Sequence, residues 1–85
     1  GGQGGENSVR IYPNPAQDLI SLFVDMPQPE GQAYIYTAMG MPVLTLKISD
    51  KYTSLNTANL ANGVYFCRFT TNSGKHTTGK FVILR

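Results

Sequence analysis

The chain has 85 residues, of which 41% are hydrophobic and 14% charged, and its seven basic and five acidic side chains leave a net charge of +2. A chain this short buries roughly 60 to 65% of the surface its unfolded form exposes, enough for one thin core in one domain and too little for a deep catalytic cleft. The composition excludes a charge-rich disordered segment, and the scattered Lys and Arg residues give no phosphate-binding cluster, so no nucleic acid partner is expected.

Four of the first five residues are glycine, and such a stretch cannot offset the entropy of being ordered, so residues 1–8 are predicted to be a linker and 9–85 the folded domain. The opening has neither the basic start nor the apolar stretch of a secretory signal, and no run approaches the ~18 apolar residues of a membrane helix. An exported parent protein is expected to carry its signal upstream of this fragment.

From there the pattern is that of strands. Val9 to Tyr12 is a short first strand, stopped by Pro13 and Pro15, which remove ladder donors and push the residues before them toward extended geometry. Asp18 to Asp25 alternates, with Ile20, Leu22 and Val24 on one face and Ser21 and Asp25 on the other. A breaker-rich loop from Met26 to Gly31 follows. Gln32 to Ala38 and Met41 to Ser49 flank Met39-Gly40, where glycine can take the positive φ of a tight hairpin, so these two strands are predicted antiparallel neighbours. Tyr52 to Ala58 is a weaker strand. Asn62-Gly63 supplies a turn before a strong strand from Val64 to Thr71, and Asn72-Ser73-Gly74 turns again into a last strand from His76 to Leu84. About seven short strands separated by turn signals predict an all-β, immunoglobulin-like β-sandwich.

The alternation also assigns faces. Arg68 is expected to face water together with Val64 and Phe66, which turns Tyr65, Cys67 and Phe69 into the core. Cys67 is the sole cysteine, so no disulfide framework exists, and it reads as a small buried hydrophobe rather than a reactive thiol. His76, the sole histidine, sits beside a turn and reads as a surface residue. One Cys and one His cannot make a zinc site, and the isolated carboxylates form no Asp-x-Asp cluster for calcium, so neither a metal, a cofactor nor an enzymatic activity is expected. In the last strand Phe81 and Ile83 point one way while Val82 and Leu84 point the other, which makes it apolar on both faces; only one face of a two-layer sandwich is core. The other face, or the strand's free edge, is expected to meet a partner or a second copy of the chain, giving a homodimer at high concentration.

The succession Tyr12-Pro13-Asn14-Pro15-Ala16-Gln17-Asp18, then Ala33 to Val43, then Leu60-Ala61-Asn62-Gly63-Val64-Tyr65-Phe66, and finally Gly79-Lys80-Phe81-Val82 resembles the C-terminal sorting domain of the type IX (Por) secretion system. The match departs from the family where Ala38-Met39 precede Gly40, a place that more often holds Asp, and where Arg85 stands for a frequent terminal Lys. The resemblance implies a module at the end of a cargo protein of Bacteroidota. The cargo reaches the periplasm by an N-terminal signal, and the translocon and its shuttle proteins read the module during outer-membrane passage. In many members a cell-surface sortase then removes the module and joins the cargo to anionic lipopolysaccharide.

By the same resemblance, recognition maps onto Gly63, Tyr65, Lys80, Phe81, Val82, Ile83, Leu84 and Arg85, and cleavage onto the region of Glu6, Asn7, Ser8 and Val9. A polar, extended segment there suits a protease. The alternative is an immunoglobulin-like adhesion module binding carbohydrate or protein on a platform of Tyr34, Tyr36 and Tyr52, although the chain lacks the Trp usual for stacking on sugars.

Overall fold

The computed structural model describes residues 8–85. Seven strands follow in order: β1 (Ser8–Tyr12), β2 (Leu19–Asp25), β3 (Gly31–Thr37), β4 (Pro42–Ile48), β5 (Tyr52–Asn56), β6 (Gly63–Thr71) and β7 (His76–Ile83). All ladders are antiparallel, in a three-stranded sheet ordered β1-β2-β5 and a four-stranded sheet ordered β4-β3-β6-β7. Among the described residues there is no helix. The two sheets make the predicted immunoglobulin-like sandwich, with β5 returning to β2 and β6 to β3 across the layers.

Period-two alternation builds the core. Ile20, Leu22 and Val24 from β2 meet Ala33 and Ile35 from β3, Tyr65, Cys67 and Phe69 from β6, and Phe81 and Ile83 from β7, all buried. The face assignment of β6 holds residue for residue, with Val64, Phe66 and Arg68 outward. Gly31 opens β3 at a close approach of backbones: a Cβ there would lie 2.1 Å from the Thr70 carbonyl oxygen.

Two expectations are corrected. The β3–β4 connection is longer than the two residues Met39-Gly40, because β3 stops at Thr37 and β4 starts at Pro42. Gly40 N–H donates to Thr37 O, Thr37 N–H donates to Met41 O, and Gly40 takes φ of +87°. A two-residue hairpin turn would put Met39 at positive φ, which none of the described non-glycine residues adopts; a type I turn followed by a left-handed glycine avoids that, and the ladder absorbs the change as a register shift at Ile35/Tyr36. Second, the edge of β7 is not free along its C-terminal half. Ala16 N–H donates to Val82 O and Leu84 N–H to Ala16 O, an isolated parallel bridge that lays the β1–β2 loop along β7. Backbone groups left over at the strand end take partners from the nearest loop, which also blunts the edge against pairing.

Candidate functional site

The blocks that carry the sequence resemblance lie far apart in the chain and come together at one end of the sandwich. Asn14, set between Pro13 and Pro15, accepts a hydrogen bond on its side-chain oxygen from Val82 N–H at 3.0 Å and donates to Lys80 O at 3.5 Å. With the Ala16 bridge next to it, the proline-flanked segment serves as a short strap over Lys80 to Leu84. Ala16 itself is fully buried, so the strap is packed as well as hydrogen-bonded.

Arg85 fastens the last residues. Its guanidinium donates to Asp18 Oδ1 at 2.6 Å, to Leu60 O at 2.7 Å and to Thr57 O, while its backbone N–H donates to Asn62 Oδ1 at 3.1 Å. Thr57 in turn donates its hydroxyl to Gln17 O at 2.8 Å. One planar fork thereby links the β1–β2 loop, the β5–β6 loop and the end of the described chain. The Asp18 carboxylate is largely in water, so the ion pair adds little beyond its geometry and the carbonyl contacts matter more. Arg85→Ala is expected to cost about 1 to 2 kcal/mol of unfolding free energy. Arg85→Lys should recover only part of it, because an ammonium cannot span three acceptors as a planar fork does. Urea denaturation of the three proteins checks both; equal stability of the alanine variant would leave the fork without a structural role.

Tyr65 forms the third part. Its hydroxyl donates to Ala61 O at 2.6 Å and its ring stacks on Phe81 with centroids 5.5 Å apart. A tyrosine at the entry of this strand, bonded back to the chain four residues upstream and two residues before a core cysteine, is the tyrosine corner of immunoglobulin-like domains. Gly63 begins the same strand with φ of +153°, a backbone region that disfavours any side chain. Beside it, the β3–β4 hairpin and the start of β6 enclose an open groove of about 710 Å³, lined by Met39, Met41, Asn62, Gly63, Val64 and Tyr65 among others.

The expected recognition residues divide by orientation. Tyr65, Phe81 and Ile83 are core, whereas Lys80, Val82 and Leu84 face outward and Arg85 is spent on the loops. In the expected cleavage region Ser8 and Val9 are paired with Asp25 and Val24 in the β1–β2 ladder, and Glu6 and Asn7 lie outside the described residues. Residue-by-residue reading missed Asn14, Thr57 and Asn62, which tie the blocks together. The one available signal was an Asn held between two prolines, a position with little local use for its amide. The tyrosine platform is divided: Tyr34 and Tyr36 share the outer face of the four-stranded sheet, while Tyr52 stacks on Phe23 in the other sheet at 4.9 Å.

Cys67 is buried, and burial pushes its thiol up to about 12. The folded domain is therefore expected to resist iodoacetamide near pH 8, where an exposed cysteine is partly thiolate, and to be alkylated after denaturation. Rapid labelling of the folded protein would mean that β6 opens.

Two antiparallel sheets closed by a tyrosine corner define an immunoglobulin-like β-sandwich. The chain belongs to the secretion system C-terminal sorting domain family, whose model matches residues 10–84, and so has a C-terminal sorting role in type IX secretion, with export toward the outer membrane or cell surface. Among solved structures it is similar to PorZ, described as an essential bacterial surface component of the type IX secretion system of Porphyromonas gingivalis, with a TM-score of 0.75 and 20% identity over 92% of this chain. The chain spans only 12% of that protein. It is also similar to a DUF3244 family protein of Bacteroides vulgatus with an immunoglobulin-like β-sandwich fold, with a TM-score of 0.71 and 21% identity over 93% of this chain and 95% of the other. At these identities both likenesses concern the fold. No curated protein sequence matches the chain.

Proposed function

We propose that the domain is both the address and the removable tail of a cargo protein: the type IX translocon and its shuttle proteins bind the assembled end of the sandwich, and a cell-surface sortase then cuts the tail off and joins the cargo to anionic lipopolysaccharide. The domain is a substrate in this reading and brings no catalytic group, metal or cofactor of its own. The supporting observation is the convergence of Asn14, Asp18, Asn62, Tyr65 and Arg85 at one end, which joins the family's separate blocks into one folded unit. In this reading cleavage falls N-terminal to Ser8; the pairing of Ser8 and Val9 in the β1–β2 ladder supports it, because a protease takes its substrate as an extended segment outside a ladder.

The test is a fusion of residues 1–85 to the C-terminus of a periplasmically exported fluorescent reporter, in hosts with and without a working translocon. Translocon-dependent appearance of a reporter lacking the domain outside the cell is the expected result. A folded, stable fusion that stays in the periplasm of the competent host would reject the sorting mechanism.

A further inference from the structure

The outer face of the four-stranded sheet is apolar at the end where the blocks meet, and its charge is of one sign. The registers lay the outward residues in rows: Thr45, Tyr34, Arg68 and Thr78; then Pro42, Tyr36, Phe66 and Lys80; then Val64 and Val82. Leu84, 58% exposed, follows directly after β7 and extends the patch, and Met39 and Met41, 96% and 64% exposed, stand at the hairpin tip beyond it. Lys47, Arg68 and Lys80 all lie on this face. The carboxylates of the described residues lie elsewhere: Asp18 bonds Arg85 in the loop end, Asp25 closes β2 in the other sheet, and Glu30 and Asp50 are in connections.

We propose that this face docks a partner protein that places an apolar anchor side chain in the groove between the hairpin tip and Gly63-Val64 and sets carboxylates against Arg68 and Lys80. The inference rests on the sorting reading and gives the partner's chemistry. Exposed apolar surface rimmed by cations meets its complement in an apolar patch rimmed by anions, and rim charges govern how fast and how selectively such surfaces meet. A second copy of the chain is a poor occupant, because none of the carboxylate side chains of the described residues lies on the same face to answer its cations. A membrane is a poor occupant too, since the groove beside Val64 is concave and takes a protruding side chain rather than a headgroup layer.

The experiment compares translocon-dependent export of the reporter fusion carrying the wild-type domain, R68E/K80E, the charge-matched pair R10E/K51E on or beside the opposite sheet, and Met41→Asp at the groove. Export is expected to fall about tenfold or more for R68E/K80E and for Met41→Asp, and to stay within about twofold for R10E/K51E, with circular dichroism melting curves unchanged in all. Wild-type export in R68E/K80E and Met41→Asp, or an equal fall in R10E/K51E, overturns the docking face while leaving sorting intact. Failure of the wild-type domain to export strikes the sorting reading instead, and the face is then tested by association alone. A dimer in sedimentation at millimolar concentration that R68E/K80E dissociates, or co-sedimentation with phosphatidylglycerol vesicles that R68E/K80E abolishes, would assign the face to another occupant and overturn the proposal.

Discussion

Truncation after Gly79 is expected to leave a chain that does not fold. It removes Phe81 and Ile83, both fully buried, together with the ring that Tyr65 stacks on. Truncating one buried Phe to Ala costs about 3 to 5 kcal/mol and one buried Ile about 2 to 5. The whole stability of a domain is about 5 to 15 kcal/mol, and a small one lies toward the lower end. Asn14 and Ala16 would lose their partners on β7 at the same time. Circular dichroism is the check: a cooperative thermal transition in the truncated chain would show that the remaining strands suffice.

Deleting Lys80 to Arg85 blocks export through unfolding whether or not a partner reads the strand. Val82→Asp is the informative variant, because Val82 faces outward between two buried neighbours and its replacement leaves the core in place. Lost export with an unchanged melting curve would put the fault at the surface.

Gly31→Ala is expected to be the most damaging single substitution outside the core side chains. The added Cβ would sit 2.1 Å from Thr70 O and 2.7 Å from Thr71 Cα, both backbone atoms of the neighbouring strand. β3 is an interior strand, paired with β4 on one side and β6 on the other, so neither neighbour can move away without loosening a ladder. Overpacking in a tight site costs about 1 to 3 kcal/mol and more where nothing yields, and the cost here is expected at about 3 kcal/mol or above. In a domain of this size that corresponds to a fall in Tm of about 12 °C or more. Calorimetry reads it directly. A shift below about 4 °C would mean that the start of β3 separates from β6 at little cost.

Much of this molecule is legible without a structure. Strand positions, the inward set Tyr65, Cys67 and Phe69, and the two-sided apolar character of Phe81 to Leu84 follow from period-two alternation, which is a local property of the backbone. The turn at Gly40 was visible for the same local reason, although its length was not, because loop length depends on how the flanking strands twist and pair.

What the sequence alone determined is therefore the sandwich class, read from short alternating strands and the turn signals between them, and the inward and outward sets of β2, β6 and β7, because alternation is local to each strand. Only the tertiary structure decided that Asn14 straps Val82, 68 residues away, that Arg85 reaches Asp18 across 67 residues, and that Lys47, Arg68 and Lys80 share a face holding none of the carboxylate side chains of the described residues. Those pairings depend on which strands become neighbours once the two layers close over a common core. Alternation within a strand assigns a side chain to a face without naming the residue that will stand beside it.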